Sequence, residues 1–321
     1  MNHKKTISIG VPCFNEELNI PETYKTIKQI TEKIKAYNFE YIFVDNGSTD
    51  STKETIKKIA LKDKNVIGIF LSRNFGPEAS TQALIDNSTG DAFIGIQCDL
   101  EDPPSLILHF IDKWEKGYDI VIGIYSKSED KLLMGLARQL FYKIFKKISN
   151  IEVPVNTTGY SLLNRKAINA IKSLPEKYRF TRGLISWIGF KVAYVKYARQ
   201  KRKYGKSSYN FWRYIKHAER SFFGFSYLPL DIIIYLGFFL VSASFIFIII
   251  YLLIFLFFGN PVKESITIFV SIVLFGGIQL LAISTIGKYI QVIVEETKSR
   301  PVYIIEEITN NSKVKSEKNK F

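Results

Sequence analysis

Short apolar runs alternate with polar, helix-like stretches through the first part of the chain. The first helix-like stretch, which follows the first strand, is expected to end near Ala36. The strand-like runs lie at 7–11, 41–44, 66–71, 92–97 and 119–124. This alternation is typical of β-α-β units, so it predicts an α/β fold with a mostly parallel sheet. Ligands of such sheets bind at the carboxyl ends of the strands. Polar residues that directly follow a strand are therefore the first candidates for a site.

Two long apolar runs follow, at 232–258 and 266–287. The first has 27 residues, more than the roughly 20 that a helix needs to cross a bilayer. Two transmembrane helices are predicted; a pair of helices buried in a soluble protein is the alternative. Lys and Arg crowd before the first run and return at Lys288, Lys298 and Arg300. By the positive-inside rule, this pattern predicts two spans in the inner (cytoplasmic) membrane with both termini cytoplasmic.

The charge is strongly positive, +14 overall, which suggests nucleic acid, an anionic membrane surface or a phosphorylated ligand as partner. The densest cluster, at 196–220, holds nine Lys or Arg against one Glu and adjoins the first long apolar run. This location favours a bilayer and a phosphate over nucleic acid. Apolar residues recur there at helical spacing, which predicts an amphipathic juxtamembrane helix in the membrane interface. A helix packed on the soluble domain, or attraction of anionic lipids alone, are the other interpretations.

Four regions are predicted from these patterns: an α/β domain at 1–195, a basic juxtamembrane region at 196–230, two transmembrane helices at 231–290 and a cytoplasmic strand and disordered tail at 291–321. The run at 300–305 resembles a strand that could add to a neighbour's sheet edge, and a homo-oligomer is expected. The two cysteines, Cys13 and Cys98, fall in predicted strands. A disulfide scaffold is therefore not expected, and the domain is expected to face a reducing cytoplasm.

Polar clusters follow the first, second and fourth predicted strands. An acid at a strand end, such as Asp45, can accept a hydrogen bond from a base N–H or a ribose hydroxyl, although each cluster alone could be a plain turn. No glycine-rich phosphate fingerprint follows the first strand, which argues against a dinucleotide or P-loop site. If the chain stays extended after the fourth strand, Gln97, Asp99 and Glu101 point to one side. Such oxygen ligands suit Mg²⁺ or Mn²⁺; an ordinary helix entry capped by Asp102 is the alternative.

Six segments form an ordered set of motifs along the chain: VPCFNEE at 11–17, VDNGSTD at 44–50, SRNFG at 72–76, DLEDPP at 99–104, RFTRGLISWIGF at 179–190 and RKYGKSSY at 202–209. This ordered set resembles the family 2 glycosyltransferases of GT-A fold. It is most similar to the polyprenyl-phosphate glycosyltransferases, the group with dolichyl-phosphate mannose synthase and bactoprenol glucosyltransferases, and the resemblance covers most of the chain.

The resemblance implies a role for individual residues. The nucleotide sugar would be held by Pro12, Phe14, Glu16, Asp45, Gln97 and Asp99. The metal, Mg²⁺ or Mn²⁺, would bind Asp99 and Glu101, and the catalytic set would be Asp99, Glu101 and Arg202. The acceptor phosphate would be met by Arg179, Arg182, Arg202, Ser207 and Tyr209.

This chain departs from the family pattern at several positions. Gln97 stands where Asp is usual and Glu101 where Gln is usual, so the number of carboxylates is unchanged. Asn46 replaces the second Asp after the second strand, and Tyr160 falls in the segment where the family has an acid proposed as catalytic base. Ser208 replaces a Lys in the acceptor segment.

Loss of a base does not exclude transfer to a phosphate. A lipid phosphate titrates near about pH 6, by analogy with phosphorylated side chains, so it is already an oxyanion at neutral pH. The predicted activity is therefore inverting transfer of a hexose from a UDP-sugar to undecaprenyl phosphate. The alternatives are a catalytically degenerate homologue that acts as a membrane scaffold, and a glycosyltransferase with another acceptor in cell-surface polysaccharide synthesis.

Overall fold

The computed structural model describes residues 4–125, 156–177, 179–200, 228–258 and 264–310. Eight strands form a single sheet: β1 (Thr6–Cys13), β2 (Asn38–Asp45), β3 (Val66–Leu71), β4 (Ala92–Gly95), β5 (Ile120–Tyr125), β6 (Thr157–Asn164), β7 (Val192–Tyr197) and β8 (Ile305–Ile308). The helices are α1 (Ile20–Thr31), α2 (Thr52–Lys62), α3 (Pro77–Asn87), α4 (Leu106–Glu115), α5 (Arg165–Ser173), α6 (Thr181–Trp187), α7 (Leu228–Phe258) and α8 (Glu264–Thr297).

The strand order is β7-β5-β6-β4-β1-β2-β3-β8. The four consecutive strands β4, β1, β2 and β3 are parallel to one another, and β5 is parallel to β7. The antiparallel pairs are β4 with β6, β5 with β6, and β3 with β8. The predicted α/β fold with a mostly parallel sheet is confirmed. The five predicted strands correspond to β1 to β5.

Both faces of the sheet are covered at its central strands, which explains why β1 and β3 are continuous buried runs; the edge strand β7 alternates instead. Successive side chains of a strand point to opposite faces, and in β2 Tyr41 and Phe43 enter one core while Ile42 and Val44 enter the other. α1 packs on the first face through buried residues at helical spacing, such as Ile20 and Ile27. α1 ends at Thr31 rather than near Ala36, and the Thr31 hydroxyl is 2.6 Å from the Tyr41 hydroxyl.

α7 and α8 are long helices of 31 and 34 residues with exposed apolar side chains. Phe238 and Phe257, both in α7, are about three-quarters exposed. Within the described residues, one segment, Leu274–Thr297 in α8, is long and apolar enough to cross a membrane, and α7 contributes the shorter apolar segment Leu230–Leu240. The predicted amphipathic helix falls largely on 201–227, outside the described residues.

After α8 the chain returns to the α/β domain. β8 pairs antiparallel with β3, with Ile308 opposite Ile69. The Tyr303 hydroxyl lies 3.0 Å from the Asp86 carboxylate. The strand predicted at 300–305 therefore begins later in the chain, and it completes the sheet of its own chain instead of a neighbour's. The homo-oligomer stays a prediction that this strand no longer supports.

Asn310, just after β8, fastens the end of this returning segment to the α/β domain. Its side-chain amide donates to the carbonyl oxygens of Ala60 at 2.7 Å and Val66 at 2.9 Å. Asn310→Ala should lower the free energy of unfolding of the α/β domain by about 1–2 kcal/mol, because two carbonyl groups lose their donor. The midpoint of urea unfolding in detergent measures this. Glu306→Ala is the matched control, since a surface ion pair such as Lys53–Glu306 contributes about 0–1 kcal/mol; equal losses in the two variants would contradict the prediction.

Candidate active site

Three strand ends meet at one edge of the sheet because β1 lies between β2 and β4. Cys13 at the end of β1 is in register with Asp45 at the end of β2. On the other side, the Ile96 amide just after β4 donates to the Gly10 carbonyl oxygen at 2.9 Å. The polar segments predicted from sequence to form a site are therefore neighbours in space, at the position where ligands of parallel sheets bind.

The loops that follow β1 and β2 are hydrogen-bonded to each other. The Asn15 amide donates to the Ser48 hydroxyl at 2.8 Å, and the Thr49 amide donates to the Asn15 side-chain oxygen at 2.9 Å. The Glu16 amide donates to the Thr52 hydroxyl at 2.9 Å. Asn15 has a φ of +56°, a left-handed conformation that costs energy outside glycine. The two loops beside Pro12, Phe14 and Glu16 are thus held together by their own hydrogen bonds.

Asp45 is almost fully buried at this edge. Its Oδ1 accepts hydrogen bonds from both the amide and the hydroxyl of Ser48. Burial raises the pKa of Asp45 above its ordinary value, and the two Ser48 hydrogen bonds oppose this rise in part. The amide and the hydroxyl of Ser48 together fix the orientation of the Asp45 carboxylate, as recognition of a nucleoside requires. The contact of Asp45 with a nucleoside stays a prediction.

Asn46 has a structural role that an aspartate could not fill. Its amide nitrogen donates to the Gly76 carbonyl oxygen at 3.1 Å, and its amide oxygen accepts from the Phe75 amide at 3.0 Å. Next to it, Gly47 has a φ of +67°, and a Cβ there would lie 2.5 Å from the Arg73 carbonyl carbon. Asn46 and Gly47 therefore hold the segment at 73–76 against the end of β2.

The acidic segment after β4 does not stay extended. β4 ends at Gly95, Leu100 takes a φ of +59°, and the Glu101 amide turns back to donate to Asp99 Oδ1 at 3.2 Å. The expected alternation of Gln97, Asp99 and Glu101 on one side is wrong, because it required a strand conformation. A bulky residue at positive φ is a strained conformation of the kind that is retained at functional sites.

Asp102 and Glu101 are engaged by the end of β7. The fully buried Asp102 carboxylate accepts from the Tyr197 hydroxyl at 2.6 Å and from Arg199 Nε at 3.2 Å. The Glu101 carboxylate pairs with the Arg199 guanidinium at 2.9 Å. The alternative interpretation of Asp102 as a helix cap is wrong, because the N-cap residue of α4 is Ser105, three residues later, and the helix begins at Leu106.

Two of the altered positions lie on β6 or face it. Tyr160 is fully buried against Phe110, with ring centroids 4.7 Å apart, and its hydroxyl donates to the Pro103 carbonyl oxygen at 3.3 Å. Burial raises the pKa of Tyr160 well above its ordinary value. A Cβ on Gly159 would lie 3.1 Å from the Gln97 side-chain nitrogen. The Tyr160 hydroxyl thus holds the main chain just after the acidic segment, at Pro103. The Gln97 side chain lies next to Gly159, which has no side chain of its own.

The predicted acceptor residues divide into two groups. Arg179 is buried, and its guanidinium donates to the carbonyl oxygens of Glu176 at 2.8 Å and Leu174 at 2.6 Å and to Gln82 Oε1 at 2.9 Å. These contacts satisfy carbonyl oxygens at and just after the carboxyl end of α5. The contact of Arg179 with a phosphate stays a prediction. Arg182 is exposed at the start of α6. The other predicted acceptor residues, Arg202, Ser207 and Tyr209, lie outside the described residues, as does Ser208.

The residues present fit a divalent cation shared with a substrate. Within the described ranges, no three His, Cys, Asp or Glu side chains are grouped to hold a metal by themselves. Mg²⁺ in phosphate-handling sites is usually bound by one or two carboxylates together with substrate phosphates. Asp99, which is half-buried and lies beyond the carboxyl end of β4, can supply such a carboxylate.

The sequence did not reveal Tyr197 and Arg199 as partners of the acidic segment. A usable signal was present in the alternation of 192–197, which is typical of a strand with one buried face. The replacement of Gln by Glu at position 101 was a second signal, because a new carboxylate requires a cationic partner.

The chain belongs to glycosyl transferase family 2, whose family model matches residues 8–172. It is a glycosyltransferase by that membership, and the matched residues contain the three strand ends described above.

Two curated relatives extend the similarity over most of the chain. The SfII prophage-derived bactoprenol glucosyl transferase of Shigella flexneri is 39% identical over 300 residues, which cover 93% of this chain and 97% of the relative. The prophage bactoprenol glucosyl transferase homolog of Escherichia coli is 39% identical over 303 residues, with 94% and 99% covered. Mannosyl-3-phosphoglycerate synthase from Rubrobacter xylanophilus, a solved structure, has a TM-score of 0.47 at 16% identity, covering 67% of this chain and 71% of that one.

Restoring the usual aspartate at position 46 should damage the protein. In Asn46→Asp, the carboxylate cannot donate to the Gly76 carbonyl oxygen and is placed beside it instead. We expect a loss of about 1–3 kcal/mol in the free energy of unfolding, with no gain in affinity for a nucleotide sugar. Urea unfolding and calorimetry measure the two quantities. Asn65→Asp, at an exposed position, is the control; a stable variant with tighter nucleotide binding would contradict the structural role.

Proposed function

We propose that this protein transfers a hexose from a UDP-sugar to polyprenyl phosphate, with inversion at the anomeric carbon, at the cytoplasmic face of the membrane. The observation that carries the proposal is the similarity over more than nine-tenths of the chain to proteins named bactoprenol glucosyl transferases. The product would be a lipid-linked sugar for modification of a glycan or lipid.

The chemistry fits the residues at the sheet edge. A phosphate oxygen of the acceptor attacks the anomeric carbon, and the bond from that carbon to the diphosphate breaks with its electron pair leaving on UDP. No proton has to be removed, since the acceptor phosphate is already an oxyanion. Catalysis then depends on positioning and on stabilisation of charge. A divalent cation held by Asp99 would neutralise the departing diphosphate.

Each predicted residue has a proposed task. The loops of β1 and β2 position the nucleoside through Pro12, Phe14, Glu16 and Asp45. Gln97, whose side chain lies against Gly159, and Asp99 would contact the sugar diphosphate. The basic region provides Arg202, Ser207 and Tyr209, with the exposed Arg182, for the acceptor phosphate.

The return of β8 to the sheet supports an even number of membrane crossings. The chain enters α7 from the α/β domain and re-enters the same sheet after α8. If α8 crosses the bilayer, α7 must cross it too, because a chain that begins and ends on one side crosses an even number of times. We therefore propose two spans with both flanks cytoplasmic, anchored to an anionic bilayer by the basic region.

This topology is tested with single cysteines in a variant that lacks Cys13 and Cys98. Cysteines at Asn260 and at Glu306 are exposed to a thiol reagent that does not cross membranes. We expect labelling of intact cells at position 260 and, at position 306, labelling only after permeabilisation. The reverse pattern, or equal labelling of both positions in intact cells, would reject the proposed arrangement.

The activity is tested by incubating the purified protein with polyprenyl phosphate, Mn²⁺ and a panel of radiolabelled nucleotide sugars. We expect a labelled lipid from one UDP-hexose, and a decrease in rate of at least about a hundredfold in Asp99→Asn, since charge stabilisation of the leaving group is lost. Asp112→Asn, an exposed change on α4, is the control. Absence of labelled lipid with every donor, together with absence of UDP release, would favour a degenerate scaffold instead.

A further inference from the structure

We infer that Arg199 is a positioning residue that withholds Glu101 from the metal and ties the acidic segment at 99–102 to the start of the basic region, at 196–200. The inference rests on the proposed function for its meaning, since the acidic segment is the proposed donor site and the basic region the proposed acceptor site. It assigns Glu101 a task different from the metal ligand expected from sequence. The contacts that support it all lie in described residues.

Two independent contacts join Glu101 to the chain that leaves β7. Its carboxylate is 2.9 Å from an Arg199 terminal nitrogen, and its carbonyl oxygen accepts from the Gln200 amide at 2.8 Å. Turning the Glu101 carboxylate toward a cation would break its ion pair with Arg199. The main chain at Glu101 is held as well, by the amide of the next residue, Gln200.

Asp102 fixes Arg199 from the other side. Asp102 is fully buried, so its charge requires a partner, and removal of the partner of a buried charge is strongly destabilising. Arg199 Nε and the Tyr197 hydroxyl supply that partner at 3.2 Å and 2.6 Å. The Arg199 guanidinium also lies over the Tyr125 ring, 5.6 Å from its centroid. One arginine therefore serves two adjacent carboxylates.

The replacement at position 101 makes sense in this geometry. A glutamine there could only accept a hydrogen bond from the guanidinium through its uncharged amide oxygen, whereas glutamate forms an ion pair with the guanidinium, which is the stronger contact. Leu100, with its positive φ, lies between Asp99 and Glu101 and turns the chain there. Glu101 therefore pairs with Arg199, whereas Asp99 lies on the β4 side of the turn. Arg199 and Gln200 belong to the first residues of the basic region, so these contacts fix the start of that region against the acidic segment.

The first test measures Mn²⁺ affinity in the absence of any substrate, by electron paramagnetic resonance of the free ion. We expect Glu101→Gln to leave the dissociation constant within about twofold of the parent, and Asp99→Asn to weaken binding by at least about tenfold. Lys116→Gln, which breaks only the exposed pair with Asp112, is the control. A loss of tenfold or more in Glu101→Gln would overturn the inference, because it would make Glu101 a ligand.

The second test asks whether the contact positions the basic region. Hydrogen exchange of the peptide that spans 196–200 should accelerate about two- to fivefold in Glu101→Gln, in proportion to a lost partly exposed ion pair. Exchange of the β1 and β2 peptides should stay unchanged. Unchanged exchange at 196–200 would overturn the positioning role.

The third test separates this inference from the proposed function. With polyprenyl phosphate as acceptor, Glu101→Gln should raise the KM for the lipid severalfold and leave the KM for the nucleotide sugar unchanged. Arg199→Lys, which keeps the charge but cannot pair with both carboxylates, should show the same split. A raised KM for the donor in place of the acceptor would overturn the inference. If no acceptor is glycosylated by the parent protein, the proposed function fails, while the Mn²⁺ and exchange results still decide the role of Glu101.

Discussion

The parallel pairing of β1 with β2 on one side and β4 on the other is the constraint on which the site depends. Parallel neighbours bring the same end of each strand to one edge, so three loops that are far apart in the sequence become adjacent. Helices must cover both faces of such a sheet, and the continuous apolar strands satisfy this requirement. The register of Cys13 with Asp45 then fixes where the polar residues of two loops stand relative to each other.

Charge at this edge is controlled by specific neighbours. Asp45 is held by Ser48, and Asp102 by Tyr197 and Arg199. Asp99, beyond the carboxyl end of β4, accepts a hydrogen bond from the Glu101 amide. Such contacts are needed at this edge, since a buried carboxylate without a partner would cost more than it contributes. Three positions that depart from the family pattern make contacts at this edge. Asn46 holds the segment at 73–76, Tyr160 holds the chain at Pro103, and Glu101 pairs with Arg199.

The link between the domain and its two long helices is made at both ends of the helical pair. The chain leaves the domain after β7 and returns through Tyr303 and β8. The α/β domain is therefore joined to the helical pair both before α7 and after α8. The Glu296 carboxylate at the end of α8 accepts from the Lys177 amide, which adds a contact between the last turn of that helix and the domain.

The sequence alone determined the class of fold, the five strands β1 to β5, the polar clusters at three strand ends, the family, and the existence of two long apolar segments. These follow from local periodicity and from motifs that are read along the chain. Tertiary structure decided the partners of the acids. The extended course considered after β4 was wrong because Leu100 turns the chain. The alternative role of Asp102 as a helix cap was wrong because α4 has Ser105 as its N-cap residue, and Tyr197 and Arg199 are the partners of Asp102 instead. β8 paired within its own chain because the edge of β3 lies beside the point where α8 returns. Such contacts join residues about 100 to 240 positions apart, and no local pattern encodes a distance of that kind.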